Sequence, residues 1–507
     1  MSSSVAHWAV GIDVAIKSAH KVSILDRRTG QPIRRTLSIA RTFEGVQRLK
    51  EILSEADRVE VAIEPAGNAW RPLAGALMAY GFDVYLVDPK KSSRLRKALS
   101  DHVKSDRVDA EALARLLMML PDKLDRLSLP TSESARLRDL VRHRDRLTEA
   151  TSARKTRIQA MIGQIQPTLM EALGTTKFLN AYRAFLRNYV DPRQVIRLGK
   201  NRLHRFLDRR HQRCFDPERT EKIFRAARSG AQLLDVQLEQ GGAFFDPDQV
   251  QLEVCMELDL MEAEEAQIHQ LEERIADLYH ELDPGAVLQT LPGVGPIIAA
   301  GVLGETGTID RFPNVGSFRG YVSLIPRYKA TGKSHNPRQR IRKAGPRILK
   351  KYFYLAAENA RKCDLELAAF YTGLRHKGRV HDQAVCAVAN KLAGRAYALM
   401  KRMSQGQDAR YVFRDLQGRP IAKEEARCRV QNEFPGPTAI RRMEAARSDA
   451  SPTTPSNKAR RASPAYARPP GSDASSSGSR TPRHISKILA EPALAELLAR
   501  SGQVNDE

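Results

Sequence analysis

Over the first 125 residues, short apolar runs alternate with stretches of helical spacing. Four runs are rich in Val and Ile and bounded by polar or turn-forming residues: Trp8–Ala15 (WAVGIDVA), His20–Arg27 (HKVSILDR), Val59–Pro65 (VEVAIEP) and Phe82–Pro89 (FDVYLVDP). They predict strands. Glu44–Ala56, Ala69–Gly81 and Asp106–Leu120 carry apolar residues three and four apart and predict helices. Two early strands joined by a short turn, then strand–helix–strand, predict an α/β unit with a mixed sheet.

From about residue 131 to 285 the pattern is almost wholly helical. Near its end Ile268, Leu271, Ile275, Leu278 and Leu282 repeat at spacings of 3, 4, 3 and 4, inside an acidic stretch that begins at Glu253. This seam predicts a helical hairpin, within the chain or between subunits. A third, mostly α-helical segment follows from 286 to about 405. Beyond about Ala445 the chain turns Ser-, Pro- and Arg-rich, a composition that predicts disorder, with a short helix expected near Ile485–Arg500. The expected organisation is thus 1–125, 126–285, 286–405 and a basic, largely disordered extension over 406–507.

Charge narrows the partners. Lys and Arg number 83 against 59 Asp and Glu, a formal net charge of +24 in 507 residues. Such a balance points to a polyanion, most simply nucleic acid. Arg136–Arg157 alone holds eight Lys/Arg and three acids, a helix suited to lying along a phosphate backbone or to a solvated face. Five scattered cysteines form no CxxC pair, which argues against a zinc ribbon or a disulfide framework and fits a reducing compartment. The N-terminus lacks the pattern of a signal peptide and no 18-residue apolar run occurs, so the expected location is cytoplasmic, without a membrane span.

Three constellations could carry chemistry. Asp13 and Glu64 fall at the ends of two predicted strands, and Asp106 and Asp109 lie three apart at the start of a predicted helix, on one face. Carboxylates from separate rigid elements can converge on a hard divalent cation, although each alone also fits a surface or capping acid. LPGVGPIIAAGVL (Leu291–Leu303) reads as a helix-hairpin-helix, in which Gly293 and Gly295 would let backbone amides approach a phosphate. Gly320–Ala357 sets the hydroxyls Thr331 and Ser334 among Arg327, Lys329, Lys333, Arg338, Arg340, Arg342 and Lys343. A hydroxyl amid cations could attack phosphorus directly; the blander reading is a basic loop whose hydroxyls only hydrogen-bond phosphate. TGKS is not a P-loop, because Arg327 stands where the motif needs its first Gly.

These blocks resemble the DEDD-type transposases of the IS110 insertion-sequence family, recombinases guided by a bridge RNA. The matching stretches are Gly11–Val14, Glu64–Gly67, Asp88–Pro89 and Lys104–Ala110, then Leu291–Phe312 and Tyr321–Ala357. The resemblance implies an RNase H-like (RuvC-like) N-terminal domain whose Asp13, Glu64, Asp106 and Asp109 bind Mg2+. It also implies DNA strand transfer through a serine nucleophile. The family's Ser-Gly step is Thr331-Gly332 here, so the nucleophile would be Thr331, or Ser334 in its place. Ser323 stands where the family usually has Gly and reads as structural. A structured guide RNA, element-end and target DNA, a dimer or tetramer and association with a bacterial nucleoid are the partners and setting implied. Two rival readings are a RuvC-like nuclease that hydrolyses DNA junctions with water, and a non-catalytic nucleic-acid-binding protein.

Overall fold

The computed structural model describes residues 6–99, 106–121, 124–129, 131–174, 177–211, 215–324, 330, 331, 334, 335 and 345–434. The side chains of Arg35, Ala98, Leu99, Asp106, Arg107 and Asp125, and those of residues 330, 331, 334 and 335, are outside that description, as are Arg327, Lys329, Lys333, Arg338, Arg340, Arg342, Lys343 and the extension beyond residue 434. The chain divides between Thr131 and Ser132 into two compact units.

The first unit holds a six-stranded sheet of order β3-β2-β1-β4-β5-β6. Its strands are β1 (His7–Asp13), β2 (His20–Asp26), β3 (Pro32–Ile39), β4 (Arg58–Ile63), β5 (Asp83–Leu86) and β6 (Asp125–Arg126). β1, β2 and β3 are antiparallel neighbours, β4 and β5 join β1 in parallel, and β6 is antiparallel to β5. The helices are α1 (Phe43–Leu53), α2 (Trp70–Ala79), α3 (Pro89–Leu99) and α4 (Asp106–Met119).

Side chains alternate across a strand, and the central strands use both faces. Trp8, Val10 and Ile12 of β1 and Val59, Val61 and Ile63 of β4 share one buried cluster with Leu49 and Leu53 of α1 and Leu73 and Leu77 of α2. Ala9 and Ala62 face the other way, against Leu113, Leu116 and Leu117 of α4. Burial on both faces is why these strands read as near-continuous apolar runs. The strand β3 and the helix α3 were not among the predicted elements. β3 is an edge strand carrying Arg34 and Arg35, and α3 is PKKSSRLRKAL, too basic to show an apolar stripe.

The second unit is helical, as expected for residues 131–285. Its first helices are α5 (Ser132–Ile165), α6 (Leu169–Ala172), α7 (Asn180–Asn188), α8 (Pro192–Leu198), α9 (Lys200–Arg210), α10 (Pro217–Glu239) and α11 (Pro247–Leu282). Then come α12 (Pro296–Thr306), α13 (Val315–Val322), the two-residue strands β7 (Ala330–Thr331) and β8 (Ser334–His335), α14 (Arg347–Ala360), α15 (Leu365–His376), α16 (His381–Ser404) and α17 (Lys423–Glu433).

The two long helices α5 and α11 run antiparallel. Arg144 meets Glu272, Arg154 meets Glu264 and Glu257, and Arg157 meets Glu257, so α11 numbers fall as α5 numbers rise. The hairpin expected of the apolar seam therefore lies within the chain. The same pairs bear on Arg136–Arg157, expected to lie along a phosphate backbone or to form a solvated face, by giving Arg144, Arg154 and Arg157 carboxylate partners on α11. Much of its positive charge is matched by the acidic helix beside it, and Arg142 holds the buried Glu305 of α12 through two hydrogen bonds of 2.6 and 2.8 Å.

The expected boundary near residue 285 runs through one core. Leu137 and Val141 of α5 and Leu271, Ile275 and Leu278 of α11 pack with Ala299 of α12, Phe318 of α13, Phe353 of α14 and Leu392 of α16. A separate core gathers α6–α10 around the far ends of α5 and α11. Part of the expected disordered extension is folded. Val430 of α17 packs on Leu365 and Ala368 of α15, and the Tyr411 hydroxyl donates to Asp364 at 2.6 Å. Among the described residues no helix is long and apolar enough to cross a membrane.

Candidate active site

The parallel pairing of β1 with β4 sets Ile12 opposite Ile63. The next residue on each chain is a carboxylate, Asp13 at the last position of β1 and Glu64 just past β4. Two acids thus stand side by side at the carboxyl edge of adjacent parallel strands, the edge where open α/β sheets bind ligands. By alternation Ala9, Gly11 and Asp13 lie on one face, and Ala62 and Glu64 lie on that face too. It is the face that α4 covers.

The direction of α4 follows from two hydrogen bonds. Arg27 donates from its backbone to the His7 carbonyl and from its guanidinium to the Leu117 carbonyl. The C-terminal part of α4 therefore lies near the start of β1, and its N-terminal part, with Asp106 and Asp109, lies toward the end that carries Asp13. Gly11 makes the approach possible. A Cβ there would stand 2.0 Å from the Ala110 carbonyl oxygen and 2.5 Å from the Ala114 nitrogen. Hence the Gly of GIDV is a contact surface for the helix bearing Asp109, the residue before Ala110.

Two residues that the sequence did not mark reach into this site. Ser92 of α3 is buried, and its hydroxyl donates to Glu64 Oε2 at 2.5 Å. Arg96, one helical turn on, donates from Nη1 to Asp109 Oδ1 at 2.9 Å. Positions four apart share a helix face, and this face visits two of the four candidate acids. The available signal was Asp88-Pro89, a helix start: Asp88 accepts from the Lys90 amide at 2.9 Å and Pro89 opens α3. Counting four residues from Ser92 would have marked Arg96.

Among the described residues no three His, Cys, Asp or Glu side chains form a group that could hold a cation, and the Asp106 side chain lies outside the description. The donor chemistry of Asp13, Glu64 and Asp109 nevertheless suits a hard divalent ion, since every ligand offered is a carboxylate oxygen on a strand end or a helix.

In the second unit β7 and β8 pair Thr331 directly with Ser334. Both hydroxyl-bearing candidates are backbone partners in one short antiparallel ladder. The glycines of the proposed hairpin part company. Gly293 has φ +74°, and a Cβ on it would be 2.2 Å from the Ala356 carbonyl oxygen, so its bare α-carbon is spent on packing against α14. Gly295 has nothing within 4 Å of an added Cβ and precedes α12. What comes before the turn is a single 3-10 turn, Val287–Thr290, rather than a helix. Ser323 caps α13 at φ +57°, a conformation glycine adopts freely, which gives its structural reading a physical basis.

Comparison with known proteins matches these two regions separately. A transposase family model covers residues 10–167 and a second, described as transposase IS116/IS110/IS902 family, covers 285–372. The chain belongs to the IS110 transposase family. Members resemble it over most of their length. An uncharacterized 44.8 kDa protein of insertion element IS116 from Streptomyces clavuligerus is 23% identical over 78% of this chain and 92% of its own. The 43.6 kDa protein of insertion element IS110 from Streptomyces coelicolor is 26% identical over 67% of this chain and 80% of its own. A putative transposase of Sinorhizobium fredii is 24% identical over 78% and 89%. The first family model takes in Asp13, Glu64, Asp106 and Asp109 of this IS110-family chain, and the second takes in Thr331 and Ser334.

Proposed function

We propose that this transposase cuts and joins DNA strands with Asp13, Glu64, Asp106 and Asp109 holding Mg2+ and a hydroxyl, Thr331 or Ser334, as nucleophile. The observation that supports the reading is the pairing of Ile12 with Ile63 in parallel strands, which makes Asp13 and Glu64 the next residues along, together with a helix laid on Gly11 that carries Asp109. The strand order and the three antiparallel strands leading into parallel ones support an RNase H-like (RuvC-like) assignment for the first unit. Bound Mg2+ would supply positive charge for the phosphate oxygens as they gain negative charge.

The chain's own residues have separable tasks. The sheet fixes Asp13 and Glu64 and α4 fixes Asp109, so no ordering cost falls on the reaction itself. The attacking hydroxyl loses its proton as its oxygen bonds phosphorus, and the sugar oxygen that leaves takes one up. The covalent phosphoserine or phosphothreonine so formed keeps the bond energy for joining to a second strand. The Lys and Arg of Arg327–Lys351 belong to this reading as counter-charges for the phosphate. A structured RNA guide and a dimer or tetramer belong to it through family membership. The direct test is Mg2+-dependent cleavage of labelled element-end DNA by the full chain. Asp13→Asn and Asp109→Asn are expected to lower cleavage at least about a hundredfold, the scale of losing a charged transition-state contact. Undiminished cleavage by Asp13→Asn would refute the assignment.

A further inference from the structure

We infer that the α3 face carrying Ser92 and Arg96 sets the cation affinity of the carboxylate site, with Ser92 positioning Glu64 as a ligand and Arg96 serving as an internal cation that a divalent ion must displace from Asp109. The inference rests on the metal reading given above and adds two positioning residues of opposite sign.

Ser92 is 6% exposed, so water competes poorly for its proton. Its oxygen is 2.5 Å from Glu64 Oε2 and 3.0 Å from the Pro89 carbonyl oxygen. A hydroxyl has one proton, and the shorter, charge-assisted contact to the carboxylate takes it. One Glu64 oxygen is thereby fixed and the carboxyl plane with it. The other oxygen takes no part in this contact. A glutamate held in one rotamer binds without paying the ordering entropy of a free one.

Arg96 acts in the opposite sense. Its guanidinium lies 2.9 Å from Asp109 Oδ1, with about a quarter of its side chain exposed and about a fifth of the aspartate's. A guanidinium stays protonated at every accessible pH. A divalent ion arriving at Asp109 therefore meets a positive charge already seated on its ligand and must push it aside or share the oxygen with it. Either way binding is weaker than the four carboxylates alone would give. In the absence of metal the same contact supplies a counter-charge to Asp109. The two residues are on one helix face, so a shift of α3 would change both effects together, whereas single substitutions separate them.

The experiment is a Mn2+ titration of the full-length chain without nucleic acid, following free Mn2+ by electron paramagnetic resonance. Ser92→Ala is expected to weaken binding about fivefold, the effect of one hydrogen bond. Ser92→Thr is expected to restore it. Arg96→Gln is expected to tighten binding about fivefold, while Arg96→Lys, which keeps the charge, stays near wild type. Opposite shifts in Ser92→Ala and Arg96→Gln support the inference, because a damaged helix would weaken both. Shifts of the same sign, or none, in a protein whose Mn2+ binding is lost in Asp109→Asn overturn it and leave the metal reading standing. A wild-type chain with no Asp13-dependent Mn2+ site overturns both.

Discussion

Ser323 and Gly345 show how tightly single positions are constrained around the root of the basic segment. Ser323 holds φ +57°, and its hydroxyl donates to the Gly320 carbonyl at 2.8 Å. A left-handed backbone costs an ordinary residue about 1 kcal/mol that Gly avoids. Ser323→Gly should therefore raise stability by about 0.5 kcal/mol, net of the lost hydrogen bond, in a urea melt. Gly345 is the contrary case, with φ +71° and an added Cβ only 2.0 Å from the Tyr321 carbonyl oxygen. Gly345→Ala should cost about 3 kcal/mol in the same measurement. His20 brings pH into the first unit. It is buried at the start of β2, and its Nδ1 accepts the Ala15 amide at 3.2 Å, just past Asp13. Burial, reinforced by the nearby Arg41 guanidinium, lowers its pKa. The folded chain thus resists protonation that the unfolded chain accepts below about 6.5, so stability falls as pH drops through that value. Burial lowers His7 as well. His20→Gln should flatten the acid side of a Tm-against-pH curve and leave the part due to His7; an unchanged curve would remove His20 from the account.

At the scale of elements, the site depends on α4 lying directly on β1. Gly11→Ala would force Ala110 and Ala114 away from the strand, at about 3 kcal/mol for overpacking. It should also weaken Mn2+ binding, because Asp109 moves with the helix. The α5–α11 hairpin has its own test. Arg154 bridges Glu257 at 3.0 Å and Glu264 at 2.9 Å, and these side chains are mostly buried. Arg154→Glu should destabilise the chain by about 2 kcal/mol, and adding Glu264→Arg should recover part of it, as read by a double-mutant cycle. The same elements show what was legible in the sequence. Strands β1, β2, β4 and β5 were readable because burial makes them apolar, and Asp13 and Glu64 because they end such runs. Asp109 was readable from the Asp-x-x-Asp spacing at a helix start. Ser92 and Arg96 were not, because their value lies in what they touch across the fold and α3 has no apolar stripe to announce it. The ion pairing of α5 was hidden for a related reason. Its acidic partner lies about a hundred residues away in sequence, as from Arg157 to Glu257.

For the whole molecule, the two units hold the two halves of the proposed chemistry, the candidate carboxylates in the first unit and the candidate hydroxyls in the ladder of β7 and β8. The family models fall on the two blocks that hold them. The segment from Ala409 to Glu433 belongs to the folded second unit, and Tyr411 is its anchor, half-buried and hydrogen-bonded to both Asp364 and Arg395. The central claim is that the carboxylates act together with a protein hydroxyl, so that the cut strand is held on the enzyme. It is tested by incubating the full chain, with any RNA that co-purifies, with labelled element-end DNA and Mg2+, and running a denaturing gel. The account predicts DNA that travels with the protein, is lost in Asp13→Asn, and is lost in one of Thr331→Ala and Ser334→Ala. Cleaved DNA free of protein, with both hydroxyl variants fully active, would contradict it and establish water as the nucleophile.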